Sequence, residues 1–464
     1  MRRAGSGAGM AAPAADSGRR GTRSGSMRAV PVPPSPQPSP APSVPAPRSS
    51  SIYQHPGFLA FIVARVAAMF ATQVQAVVVA WQVYDLTREP LALACVGLAQ
   101  FLPMLALLLP AGDLIDRVQR KRILCASWAV GAVCSAALWW LAGHGAAGVT
   151  GIYAVLVLFG ASRAFSAPAL QSLLPQVVPR ERLASAIAAN SMLMRTAAIA
   201  GPFLGGLLYA AGGGELTYAV CLVAFAVGAA LMLRVPVAHA TPLGPVLGTM
   251  RERFGEGIRF IRSRPIILGT ISLDLFAVLL GGVIALLPIY AHEVLHVGPE
   301  GLGALRSAMA MGEVGMGFYL SLRPFNRRVG ATMFIAVAVF GVANLVFAFS
   351  TVFWLSFAAL VVAGAADMVS VYIRGSLVQF STPDAMRGRV SAVNMLFIGS
   401  SNELGEFRAG TSAAWLGTVP AAVVGGLCTL GVVGAWAWMF KPLRRVDRFE
   451  EASPRPGAEP PRPH

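Results

Sequence analysis

Eleven ionisable side chains stand inside long apolar stretches of this sequence: Arg65, Arg163, Arg195, Asp274, Arg306, Glu313, Asp367, Arg374, Glu403, Glu406 and Arg408. At hydrocarbon depth such a group costs about 2.5 to 3.5 kcal/mol unless it is paired or faces water, so its presence marks a wet cavity, an ion pair or a proton relay. A carboxylate reachable from both sides of a membrane can carry a proton across when burial brings its titration near neutrality. Asp274 is the first candidate for that role, because no base stands near it in the sequence, and Glu313 is the second. Other chemistries find no support. The six histidines show no HExxH spacing, and His292 with His296 reads as part of a wet external loop. No stretch has the GxxxxGK[ST] form of a nucleotide site, so neither a metal nor a cofactor is implied and the chain is not expected to be an enzyme.

The elements that hold these residues must themselves tolerate a bilayer. Of 464 residues, 55% are hydrophobic and 12% charged, and the mean hydropathy is +0.64, which excludes a soluble domain of this length. From Gly57 onward, apolar runs of about 20 residues recur, each long enough as a helix to cross a core about 30 Å thick. Twelve are expected, the first at 58–82 and the last at 416–440. The net charge of +16 lies in short clusters between runs rather than on a folded polar surface, which argues against a nucleic-acid partner. All five cysteines fall inside the runs and read as small core residues.

Basic residues set the orientation. Loops after even-numbered runs carry Arg117, Arg120, Lys121 and Arg122, then Arg180 and Arg182, then Arg323, Arg327 and Arg328, whereas Arg88 is the clear exception in the odd-numbered loops. Both termini are therefore expected in the cytoplasm. The expected division is a Pro/Ser/Arg-rich tail at 1–55, a six-helix bundle at 56–236, a cytoplasmic linker at 237–265, a second six-helix bundle at 266–441 and a tail at 442–464. Apolar and basic residues alternate at near-helical spacing in "GTMRERFGEGIRFIRSRP", as in a helix lying on the lipid surface.

A shift of 204 residues lays "PRERLASAIAANSMLMRTAAIAGPFLGG" on "PDAMRGRVSAVNMLFIGSSNELGEFRAG" without a gap. Pro179, Asn190, Gly201, Phe203 and Gly206 meet Pro383, Asn394, Gly405, Phe407 and Gly410. The two halves thus read as duplicates, the architecture that transporters use to rock about a midplane site. The same shift sets Arg163 against Asp367, predicting a charge pair across the pseudo-twofold axis, and leaves Glu406 and Arg408 to form a local network.

Two motifs carry a resemblance. In "AGDLIDRVQRKRIL", the residues Gly112, Asp116, Arg117, Arg120, Lys121 and Arg122 resemble the loop signature of the major facilitator superfamily, with Gln119 where a Gly is usual. "AGPFLGG", with Gly201, Pro202, Gly205 and Gly206, resembles that superfamily's fifth-helix antiporter motif. "TQVQAVVVAWQVYDLT" and "ISLDLFAVLLGGVIALLPIYAHEVL" are similar to its enterobactin-exporter-like branch, the transmembrane secretion effectors.

The resemblance implies an all-α membrane protein of twelve helices in two pseudo-symmetric bundles, in a bacterial cytoplasmic membrane and monomeric. It implies a conformational latch at Gly112, Asp116, Arg117, Arg120 and Arg122, and a substrate cavity lined by the first, fourth, seventh and tenth spans. Gln73, Gln75, Arg163, Asp367, Arg374, Phe276 and Tyr372 are the candidates there. Arginines would favour an anionic substrate and carboxylates a cationic one, and the sequence leaves both open. The expected function is export of a small drug-like or siderophore-like molecule driven by protons. Proton-coupled uptake, or a receptor or enzyme without transport, are the alternatives.

Overall fold

The computed structural model describes residues 56–144, 148–178, 183–236 and 250–452. Among them every regular element is helical. In lipid, a helix is the one open element that satisfies its own backbone N–H and C=O groups. The first four spans are Pro56–Thr87, Pro90–Arg117, Arg120–Gly143 and Val149–Val177. The fifth and sixth lie within Leu183–Arg234 and part at Gly212 and Gly213, where Gly213 has φ +62°, a conformation natural to glycine. The seventh begins as Pro265–Gly281, breaks at Gly282 and continues through short turns to Val294. The remaining five are Pro299–Leu322, Val329–Phe349, Phe353–Ser381, Asp384–Leu416 and Thr418–Met439. Gly417, at φ +89°, alone makes the turn between the last two.

Nine helical stretches among the described residues are long and apolar enough to cross a membrane, and one of these holds both the fifth and sixth spans. The eighth and eleventh spans fall outside that set. They carry Arg306, Glu313, Glu403, Glu406 and Arg408, so their low hydropathy reflects faces turned towards the interior of the protein. Large apolar side chains face outward elsewhere, and Trp354, Trp415 and Trp438, 72 to 83% exposed, stand at span ends, where indole rings suit the lipid interface.

Duplication is visible in the close contacts of glycines. Gly160 of the fourth span lies against the backbone of Gln100 in the second, and its repeat mate Gly364 of the tenth lies against Met309 in the eighth. Gly206 of the fifth span meets Pro299 at the start of the eighth, while Gly410 of the eleventh meets Pro90 at the start of the second. A Cβ on Gly410 would stand 2.8 Å from the Pro90 carbonyl, so only glycine allows the approach. The two halves therefore touch twice, in symmetry-related fashion, at one end.

That end, opposite the basic loops, is where a buried cluster crosses between the halves, joining Val77, Trp81, Tyr84 and Leu93 to Leu286, Ile289 and Tyr290. The first six spans have their own core around Leu124, Leu138, Ile152, Leu156 and Phe225. At the basic end, helix Met250–Ser263 packs Ile261 against Val390 and Val393 of the eleventh span, with an ion pair from Arg389 to Glu256.

Candidate functional site

A cavity of about 520 Å³ lies between the halves. From the first half it is lined by Gln73, Gln75, Gln100 and Arg163; from the second by Arg306, Glu313, Asn344, Asp367, Glu403 and Glu406. Five of the predicted residues, Gln73, Gln75, Arg163, Glu313 and Asp367, are thus brought together. Gln100, Asn344, Arg306, Glu403 and Glu406 join them. The last three were legible as ionisable groups at depth, but nothing in their spacing assigned them to the cavity.

The expected pairing of Arg163 with Asp367 is corrected. Arg163 Nη1 donates to Gln100 Oε1 at 3.4 Å and lies 3.9 Å from Glu403 Oε1. The fourth span packs on the second, so its arginine turns towards Gln100 of the second span and, across the cavity, Glu403 of the eleventh rather than Asp367 of the tenth. A Cβ on Gly97 would stand 3.4 Å from Glu403 Oε2 and 3.6 Å from Glu406 Oε2, which puts both carboxylates over the second span. Arg306 lies within electrostatic reach of both, and its buried Nε has no hydrogen-bond partner among the described residues. Two arginines and two carboxylates thus form one balanced cluster. Glu313 lies near Asp367 and Arg195 instead, and neither Glu313 nor Asp367 makes an ion pair with a described residue.

Three predicted cavity residues lie elsewhere, and Asp274 has a base after all. Asp274 and Arg374 form a buried ion pair between the seventh and tenth spans, and Ser370 Oγ donates to Asp274 Oδ1 at 3.3 Å. The pair sits behind the cavity wall, where Asp274 borders a small void shared with Asp367 and Phe340. Phe276 turns outward against Trp436, at 5.2 Å between ring centres. Tyr372 is held at the basic end by Phe325 and Phe449 of the C-terminal segment. All three share a span with true lining residues, but point away from the axis. Among the described residues no contact joins Glu406 to Arg408, which instead donates to the carbonyls of Leu279 and Gly282. Asn344 Nδ2 donates to the Gly281 carbonyl at 3.1 Å. These contacts satisfy carbonyls left free where the seventh span breaks beside the cavity.

The end opposite the basic loops is shut. Beyond the shared apolar cluster, Tyr84 donates to Glu293, and Arg88 lies against His292, at 2.9 Å from Nδ1. Arg88 and His292 are repeat mates, 204 residues apart, so they meet on the pseudo-twofold axis itself. Asp85 holds the same guanidinium at 2.7 Å.

The fifth-helix motif acts through closeness. A Cβ on Gly201 would meet Gln73 Cβ at 2.6 Å, and one on Gly205 would meet Val74 Cα at 3.1 Å. The Pro202 carbonyl faces Gly303 of the eighth span, and Pro202 itself lines the cavity. In the loop signature, Gly112 lies in the second span, and the third starts at Arg120. Lys121 Nζ donates to the Val235 carbonyl at the end of the sixth span, 2.7 Å away, and Arg122 is exposed. The side chains of Asp116 and Arg117 lie outside the described residues.

This arrangement, two duplicated six-helix halves around a charged cavity shut at one end, agrees with what comparison with known proteins finds. A family model described as "Transmembrane secretion effector" matches residues 49–462. The chain belongs to this family, within the major facilitator superfamily. As a transmembrane secretion effector it is a multi-pass membrane transporter of the secondary type and not an enzyme. Proteins named enterobactin exporter EntS are similar along nearly their whole length. That of Citrobacter koseri is 24% identical over 421 residues, 89% of this chain and 97% of that one, and that of Salmonella paratyphi A is 23% identical over 418 residues, 87% and 96%. Among solved structures, a bacterial homologue of the human lysosomal transporter Spinster, inward-facing and occupied, superposes with a TM-score of 0.64 at 16% identity, covering 88% of this chain and all of that one. A bacterial homologue of the iron transporter ferroportin, inward-facing, gives 0.64 at 16%, covering 84% and 100%. These two likenesses establish the fold of the family member, twelve spans in two bundles.

Proposed function

We propose that this chain exports a small amphipathic molecule across a bacterial cytoplasmic membrane in exchange for protons, by alternating access. The observation that carries the reading is the cavity between the halves, where Glu313 and Asp367 have no ion-pair partner among the described residues while the opposite end is closed. Carboxylates that are unpaired and reach water can take and release a proton as the exposed side changes. Glu313, with Asp367 beside it, is therefore the proposed coupling site, and Asp274, held by Arg374, is the second choice. Gln73, Gln75 and Arg163 are the proposed substrate contacts.

Energy suffices for such coupling. One charge crossing about 100 mV releases about 2.3 kcal/mol, and each tenfold gradient requires about 1.4 kcal/mol, so a single proton sustains roughly a fortyfold substrate gradient. Export is supported by the relatives' names and by the Gly201–Gly206 motif. The bacterial cytoplasmic membrane is supported by the relatives' sources, and cytoplasmic termini by the basic loops. A cavity built within one chain supports a monomer. Gly112, Asp116, Arg117, Arg120 and Arg122 are the proposed latch that holds the basic end in one state and releases it in the other.

Proteoliposomes with an imposed pH gradient test the reading. Addition of a transported compound is expected to release protons in the wild type and not in Glu313→Gln. Proton flux in the same direction as the compound would make the protein an uptake symporter, and unchanged flux in the variant would remove Glu313 from the coupling site.

A further inference from the structure

The sequence left the charge of the substrate open because arginines and carboxylates occur together at membrane depth. Their arrangement in space separates them. Arg374 is bound to Asp274 behind the cavity wall. Arg163 and Arg306 stand against Glu403 and Glu406, a group that is neutral when all four are ionised. What remains on the wall is Glu313 of the eighth span and Asp367 of the tenth, which lie within electrostatic reach of one another. The base that reaches Glu313 is Arg195, an exposed side chain over Gly317, one turn farther along the eighth span. With both carboxylates ionised, this wall therefore carries one negative charge more than Arg195 offsets. Phe340 lines both the cavity and the small void beside Asp367, which places an aromatic residue next to that carboxylate.

A second observation comes from the other wall. Gln75 is 2% exposed and its Oε1 accepts from Ser135 Oγ at 3.0 Å, but its Nε2, on a residue that lines the cavity, has no partner among the described residues. A buried amide N–H left unpaired costs free energy that an acceptor on a bound molecule removes. Between the two walls the surface is apolar, from Val79, Leu93, Phe159 and Ile284.

We infer that the cavity binds an amphipathic organic cation, with its positive group at Glu313, Asp367 and Phe340 and a hydrogen-bond acceptor at Gln75. This rests on the transport reading and names the class of its substrate. Anionic compounds of the same size meet the uncompensated carboxylates and are excluded.

Two xanthene dyes of similar ring size and opposite charge test this by fluorescence anisotropy on the purified protein in detergent. Rhodamine 6G is cationic and carries an ester carbonyl; fluorescein is anionic at neutral pH. Rhodamine 6G is expected to bind saturably, and fluorescein not to displace it. Glu313→Gln combined with Asp367→Asn should weaken binding by about tenfold or more, the scale of a charge-assisted contact. Glu313→Asp and Asp367→Glu, which keep the charge, should retain it, and Gln75→Leu should weaken it by about two- to tenfold. Displacement by fluorescein, or unchanged affinity in the neutral double variant, would overturn the cation site. Dye that binds but is not moved by proteoliposomes would leave the cation site standing and remove proton-driven export of such cations alone.

Discussion

The ion pair between Asp274 and Arg374 makes the sharpest prediction, because it separates structure from coupling at the residue that the sequence placed first. Both side chains are 6 to 7% exposed, and the pair ties the seventh span to the tenth. Removing one partner leaves the other as a lone buried charge, which costs about 3 to 5 kcal/mol. Replacing both by neutral residues of similar size removes the desolvation penalty together with the attraction and is expected to cost less than about 2 kcal/mol. Asp274→Asn and Arg374→Met should each lower stability in mixed-micelle denaturation by the larger amount, and the double variant should recover most of it. The double variant should also keep substrate-driven proton flux. Single variants within about 1 kcal/mol of wild type, or a double variant whose losses add, would refute the buried pair. Loss of proton coupling in a stable double variant would return Asp274 to the coupling role.

Two further predictions concern the closed end. A Cβ on Gly303 would stand 2.5 Å from the Pro202 carbonyl, a backbone atom that cannot step aside, so Gly303→Ala should part the fifth and eighth spans there. Thiol labelling at Val297→Cys from outside the cell should then rise, and unchanged labelling would count against the contact. Tyr84→Phe combined with His292→Ala removes the bonds to Glu293 and Arg88 and should raise labelling at the same site by about fivefold or more, for a loss of about 1 kcal/mol or more of closing energy. Equal labelling would mean that the apolar cluster alone holds this end.

Much of the fold was legible because the bilayer narrows the choices to helices of sufficient length. The repeat at 204 residues, carried by Gly201, Gly206, Gly405 and Gly410, reappears as matched contacts at the closed end. Even the weak hydropathy of the eighth and eleventh spans was informative, since ionised faces must turn inward. Orientation around each helix was not legible. Phe276 and Tyr372 share spans with Val278 and Asp367, which line the cavity, and only packing against Trp436 and Phe449 decides that they face away. Pairing was hidden for a related reason. Arg374 stands 100 residues from Asp274, and the Arg163 partner is set by which helix the fourth span packs against, not by its repeat mate. Polar residues such as Gln100 and Asn344 gave no signal, because one amide in an apolar run is equally compatible with a buried helix contact.

The claim on which the rest depends is that one cavity opens in turn to either side of the membrane. With the five native cysteines replaced, single cysteines at Ala76 and Ala310, lining positions in opposite halves, can be challenged with a membrane-impermeant thiol reagent added from each side. Reaction at both positions from both sides, with a balance that a transported compound shifts, is the predicted result. Reaction confined to one side under every condition, or absent from both, would contradict it.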